Sequence, residues 1–390
     1  MPNRAFFPLA VAGFVSALSI RVGEPLLPAV AAEFDVAPSA AVGVLTGFAL
    51  AYGLFQLAHG PLGDRFGHLR TVSVMLFAAG LASFGCALTT SIDGLTVFRF
   101  LSGMTGGAIV PLSFAYVGMH TQIERRQMVL ARFIAGILLG HTLGPMLGGF
   151  CSDWVGWRGT FVVCGVGFLL TTVFLIRHAR RERIEGDVDR LGLVRTYRGL
   201  LGDPHVRAIC LFVALEGALF FGAFSFSGAY LHERFSMSYQ AIGLAVAGFG
   251  LGGLGYSAMV RVLIVRFRHR GMLVMSGVGL AGCFSALGVI GHGWLAPVAI
   301  IGLGFSYFLM HNTLQTQATE MGPQARGSAV ALFAFFFFVS QSLGAMAFGA
   351  LLPFIGYAWC FVGAGVGLGL LALWYLMSPH SPTATAYPSR

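Results

Sequence analysis

The chain has 390 residues, of which 56% are apolar and only 10% charged, with a mean hydropathy of +0.80. Soluble domains usually carry about 25% charged residues, so an ordinary soluble protein is excluded. The net charge of +9 rests on arginine alone, since the chain has no lysine.

Twelve continuous apolar runs approach or exceed the roughly 20 residues that a membrane-crossing helix needs. They lie near 5–30, 40–59, 71–90, 94–118, 128–150, 158–177, 206–230, 238–260, 272–291, 294–317, 327–350 and 356–377. A membrane β-barrel would instead show segments of about 10 residues alternating apolar and polar, and none appear. The first run lacks a small-residue cleavage site and passes directly into Glu24-Pro25, so it reads as a span and not as a removed signal. The expected fold class is an all-α integral membrane protein with twelve transmembrane helices.

Span 1 ends in Arg21-Val22-Gly23-Glu24-Pro25-Leu26-Leu27-Pro28. Arg21 and Glu24 are three residues apart, so they share a helix face and can pair. Span 2 carries Tyr52 and Gln56, polar groups suited to a cavity wall. Between spans 2 and 3 stands Gly60-Pro61-Leu62-Gly63-Asp64-Arg65-Phe66-Gly67-His68-Leu69-Arg70, which reads as a tight turn dense in glycine and charge. Span 4 opens with Arg99, followed by Gly103, Gly106 and Gly107. One reading of Arg99 is an arginine snorkelling to the outer interface.

Span 5 reads Gly136-Ile137-Leu138-Leu139-Gly140-His141-Thr142-Leu143-Gly144-Pro145-Met146-Leu147-Gly148-Gly149. Glycines four apart clear one helix face for a close neighbour. Pro145 removes a backbone hydrogen bond and is expected to bend the helix. His141 lies mid-span and is a candidate either for proton transfer or for a neutral hydrogen bond.

Residues 178–205 form a polar linker, with Arg180-Arg181-Glu182-Arg183 and an amphipathic stretch around 191–201. Glu216 then falls about ten residues into span 7, or roughly 15 Å of helix rise. An ionisable group at mid-bilayer is functional by default, and a buried carboxyl there can load and release protons near neutral pH. The plainer alternative is a neutral acid bonding an adjacent helix. His311, Asn312 and Gln315 place polarity toward the inner end of span 10, and Gln341 does so in span 11. Span 11 also carries Phe333 and then Phe335 to Phe338; consecutive residues cover every helix face, so one or two are expected to line a pocket. The six cysteines form no C-x-x-C pair and read as small buried hydrophobes. Neither metal nor cofactor is expected. The tail 378–390, rich in Pro, Thr and Ser, is expected to be disordered.

The two halves repeat at an offset of 200. Leu143-Gly144, Gly149, Phe161-Val162 and Gly165-Val166-Gly167 match Leu343-Gly344, Gly349, Phe361-Val362 and Gly365-Val366-Gly367. Gly60 and Asp64 map onto Val260 and Ile264, so the acidic turn is lost in the second half, and Pro145 maps onto Ala345. Two pseudo-symmetric six-helix bundles follow: 1–177 and 206–377, joined by 178–205.

Arginines crowd one side of this topology: Arg65, Arg70, Arg125, Arg126, Arg261, Arg266, Arg268 and Arg270 among them, with only Arg158 and Arg234 in the opposite loops. By the positive-inside bias both termini are cytoplasmic. The basic clusters read as topology signals and lipid contacts, not as a nucleic-acid surface.

The turn 60–70, through Gly60, Leu62, Asp64, Arg65, Gly67 and Arg70, resembles the signature loop of major facilitator transporters, with His68 where a basic residue is common. The set Gly140, Gly144, Pro145, Gly148 and Gly149 resembles the span-5 motif of proton-coupled drug exporters, and Glu24-Pro25-Leu26-Leu27-Pro28 the acid-x3-Pro segment of the same group. Arg99 with Gly103 matches part of the R-x3-G-x-G pattern, whose arginine assists proton transfer in relatives. The resemblance covers essentially the whole chain. It implies a secondary transporter working by alternating access, with substrate bound between the bundles near the midplane. It further implies proton-coupled export of small lipophilic or cationic compounds, residence in a bacterial inner membrane and a monomeric state. Asp64 is implied as a latch, near the start of span 11, for the outward-facing state. Proton-coupling candidates are Glu216, Glu24, Arg21, Arg99 and His141. Cavity candidates are Tyr52, Gln56, His311, Asn312, Gln315 and Gln341.

Two other classes compete. Uptake or facilitated diffusion of a sugar or other metabolite would need a denser polar cavity. A receptor or scaffold on a transporter fold would not need Glu24 or Glu216. An intramembrane enzyme is not expected, because no span holds H-E-x-x-H, G-x-G-D or G-x-S-x-G.

Overall fold

The computed structural model describes residues 6–121, 123–178, 190–322 and 325–378, and every element within them is helical. Span 1 is two helices, Phe6–Arg21 and Gly23–Glu33, bent by 43°. Pro25 explains the bend: its ring crowds the carbonyl four residues back, at Arg21, and it offers no N–H. Span 2 joins Pro38–Ala41 to Gly43–Phe66, and span 3 is His68–Leu88. Span 4 breaks between Ile92–Gly106 and Ile109–His120, where Pro111 stands four residues after Gly107. Span 5 is Ile123–Trp154 and span 6 is Gly156–His178. A linker helix, Arg190–Gly202, carries the expected amphipathic stretch. The linker's basic run at 180–183 and the tail beyond 378 lie outside the described residues.

Span 7 is Pro204–Phe224 followed by Ser227–Phe235. Two continuous helical stretches follow, Tyr239–Val289 of 51 residues and Arg326–Met377 of 52. A straight 51-residue helix would be about 77 Å long, more than twice the roughly 30 Å hydrocarbon core. Each is in fact broken once, at Arg268 (φ 54°, ψ 177°) and at Gly356 (φ 73°, ψ 169°). They therefore hold spans 8 and 9, and 11 and 12. Span 10 is Ala296–Ala318. With these breaks counted, the helices of the described residues are consistent with twelve spans.

Two expectations need correction here. The tight turn expected over 60–70 is narrower than that segment: helix runs to Phe66 and restarts at His68, so the reversal is confined to Gly67 (φ 87°, ψ 137°). The repeat register also slips by one residue at this point. Arg268 is the backbone counterpart of Gly67, at an offset of 201, which aligns Phe66-Gly67-His68 with Phe267-Arg268-His269. Gly156 and Gly356 keep the offset of 200 and share a positive φ. In the corrected register Asp64 faces Val265, so the acid remains one-sided.

Spans 1 to 6 pack into one bundle and spans 7 to 12 into another. The second bundle has one large core rich in aromatic rings and a smaller cluster around Tyr256, Leu263, Met272 and Leu309, while the first divides mainly into two clusters, around Leu76 and Phe168 and around Leu95 and Phe161. The bundles meet through span 5 against span 8, span 2 against span 11 and span 1 against span 7. These contacts concentrate on the end away from the basic loops. A side chain at Gly149 would strike the Tyr239 carbonyl, one at Gly228 the Glu24 carbonyl, and one at Gly349 would crowd the Ser39 carbonyl at 3.4 Å.

Candidate functional site

The span-5 glycines work in two directions. A Cβ at Gly144 or Gly148 would come within 2.7 and 2.6 Å of the Leu18 and Val22 carbonyls, and Gly140 abuts Phe14 in the same way. These three seat span 5 against span 1. Gly149 instead faces span 8, where Gly243 sits against the Pro145 carbonyl. Sequence spacing identifies the stripe but not this division. The helix continues through Pro145 without a break.

The stripe presses span 5 onto the part of span 1 that carries Arg21. Arg21 and Glu24 pair as expected, Nη1 to Oε1 at 3.0 Å, and both are buried. Glu24 Oε2 and Arg21 Nε have no hydrogen-bond partner. Arg21 extends out of its own bundle: its guanidinium lies 4.4 Å from the Phe221 ring centre and 5.1 Å from that of Phe249. Arg99 is 1% exposed and donates to the Val44 carbonyl at 3.2 Å, with the Ser19 carbonyl at 3.4 Å and the Phe48 ring 4.2 Å away. It does not snorkel to an interface, so that reading is withdrawn. Arg99 itself lies within the electrostatic reach of Glu24.

The second bundle holds the other carboxyl. Glu216 is 0% exposed and its Oε2 lies 2.9 Å from His311 Nδ1 on span 10. Glu216 Oε1 has no partner. The His311 ring stacks on Tyr307 at 5.1 Å and meets Phe337 and Phe333 at 4.8 and 5.6 Å. Two members of the span-11 phenylalanine run thus wall the site. Tyr307 in turn contacts Phe221 and Phe249, the two rings under Arg21. The two acid sites are connected through three aromatic rings.

The other candidates divide. His141 lies near Arg21, and its Nδ1 is buried without a partner. Tyr52 packs on Phe338 across the bundle interface at 4.2 Å, while the amide oxygens of Gln56 and Gln341 are buried and unpartnered. Asn312 adjoins Tyr256, and Gln315 is exposed. Asp64 has a 65% exposed side chain and pairs at 3.4 Å with His68 of its own motif. Among the described residues no three His, Cys, Asp or Glu side chains cluster as a metal site requires. Sequence reasoning missed Phe221, Phe249 and Tyr307. With 36 phenylalanines in the chain, no pattern distinguishes the two that matter.

Two bundles of six spans, with buried acids flanking their interface, restrict the family narrowly. The sequence profile of the Major Facilitator Superfamily matches residues 9–345. The chain belongs to that superfamily. This major facilitator transporter is 27% identical over 318 residues to an uncharacterised MFS-type transporter, YceJ, of Bacillus subtilis (strain 168), covering 79% of each chain. It is 25% identical over 195 residues to the multidrug export protein EmrB of Escherichia coli (strain K12), covering 49% of this chain and 38% of EmrB. Its fold is similar to that of a point mutant of the nucleoside transporter NupG, with a TM-score of 0.78 at 12% identity over 96% of this chain and 99% of the other. It is also similar to a D-xylose-proton symporter, with a TM-score of 0.70 at 16% identity over 94% and 96%. The protein is a multi-pass membrane transporter and not an enzyme.

Proposed function

We propose that this transporter exports small lipophilic or cationic molecules in exchange for protons, and that Glu216 with His311 forms its proton site. The observation carrying the reading is a fully buried carboxyl bonded to an imidazole between spans 7 and 10. With one proton fewer than an acid plus an imidazolium, the pair is neutral overall, whichever member holds the proton. A dry interior favours that state, because an uncompensated buried charge is expensive. A cation arriving beside the pair makes it favourable to give up one proton, leaving a single negative charge against a single positive one. Cargo and proton then exclude one another, which is the condition for exchange.

The arginine bias supports a cytoplasmic basic end, with both termini there and a bacterial inner membrane as the setting. Bundles at 1–177 and 206–377 would rock about the interface, joined by 178–205. The contacts at the opposite end then support an inward-facing reading, in which Asp64, exposed here, would dock near span 11 only after the bundles rock. The span-5 motif and the likeness to EmrB support export. The likeness to nucleoside and sugar transporters concerns the fold alone.

Proteoliposomes with an imposed pH gradient test the proposal. Wild type should accumulate cationic cargo against the proton flux. Glu216→Gln, which cannot titrate, should retain binding of neutral substrates and lose gradient-driven transport. Undiminished gradient-driven transport in Glu216→Gln would reject the assignment.

A further inference from the structure

Arg21 belongs to the first bundle, yet its guanidinium rests on Phe221 of span 7 and Phe249 of span 8 in the second. Both rings are buried, and Tyr307 lies against them at 5.6 and 5.4 Å. A cation over desolvated aromatic faces is held more strongly than one in water. The arrangement is therefore a built cation site filled by one of the protein's own side chains. Its surroundings are acidic on two sides: Glu24 holds Arg21 through one oxygen and keeps the other unpartnered, and Glu216 lies beyond Tyr307 with an unpartnered oxygen of its own. His141 on span 5 is a further titratable group near the guanidinium, and Arg99 lies within the electrostatic reach of Glu24.

We infer that Arg21 is a tethered occupant of the transporter's cation site and competes there with cationic cargo, which must displace it from Phe221 and Phe249 to bind. The inference rests on the exchange reading above and deepens it, by naming the rings that hold a quaternary or delocalised organic cation. It also links binding to motion. Arg21 joins the bundles at their closed end, so cargo that takes its place removes a contact holding that end shut. When the bundles return, Arg21 reseats on the rings, and a cation cannot remain. One guanidinium thus serves as gate and as cargo competitor.

The experiment measures equilibrium binding of tetraphenylphosphonium to purified protein in nanodiscs, without any gradient. Removing the competitor while keeping the charge balance, in Arg21→Gln with Glu24→Gln, should tighten binding about tenfold or more. Phe221→Leu and Phe249→Leu, made in that double variant, should each reverse most of the gain. A neutral probe of similar size, tetraphenylsilane, should respond to the phenylalanine changes but not to the loss of Arg21. Arg21→Lys keeps the charge and loses the flat stacking surface, so it should tighten binding a few-fold, and it serves if the double variant does not fold. Unchanged or weaker tetraphenylphosphonium binding in folded Arg21 variants would overturn the inference, as would absence of binding in every variant. Neither result touches the proton assignment, which the gradient assay of Glu216→Gln reads separately.

Discussion

The two bundles place a polar residue at equivalent points of spans 1 and 7 and use it differently. In the first, Ser16 Oγ donates to the Gly106 carbonyl at 3.2 Å, where span 4 breaks. In the second, the matching residue is Glu216, bonded to His311 of span 10. Both tie the first span of a bundle to its fourth. Only the second tie contains ionisable side chains. A buried acid of the first bundle, Glu24, is bonded to an arginine, which does not deprotonate in proteins. A duplicated scaffold has thus kept a structural hydrogen bond in one copy and a titratable pair in the other.

The largest effect should come from making the bundles alike. Glu216→Ser gives span 7 the residue of span 1, and we expect gradient-driven transport to fall at least a hundredfold in everted vesicles. Transport at a tenth of wild type or better would mean that the acid site is not the functional difference between the copies. Asp64→Asn removes the acid that Val265 replaces in the second copy. It should cut transport tenfold or more while folding and membrane insertion stay intact, as judged by yield and thermal unfolding. Wild-type rates would reduce Asp64 to a turn residue. His311→Gln keeps a hydrogen-bonding side chain but removes the imidazole. A loss of about fivefold to tenfold is expected, with a changed pH profile; a lower rate with an unchanged profile would assign His311 to positioning alone. Ser16→Ala should be the mildest. Losing one hydrogen bond costs about 1 kcal/mol, visible as a small drop in melting temperature with proton coupling preserved.

Most of the scaffold was readable because the membrane imposes it. Continuous apolar length gave twelve spans, and the repeat gave two bundles. Helix breaks were less readable: Pro25 and Pro111 mark two of them, but nothing local announces the turn at Arg268, where glycine would be expected. At the site, Arg21 with Glu24 was legible because both lie on one helix, three residues apart. Glu216 with His311 was not, since 95 residues separate them and only the packing of span 7 on span 10 joins them. The aromatic seat of Arg21 was hidden for a different reason. It lies across the bundle interface, and periodicity within one span carries no information about a partner span.

The seam between spans 5 and 8 has one more consequence. Helices usually interlock by setting ridges of side chains into grooves, and moving one past the other then requires those side chains to clear. At Gly149 and Gly243 there are no such ridges, and backbone lies directly on backbone. The surface is a smooth bearing: it holds while the bundles are together, and it offers little steric resistance when they slide or tilt. Bulk added at either glycine would act as grit in that bearing, slowing turnover even where cargo and protons still bind normally.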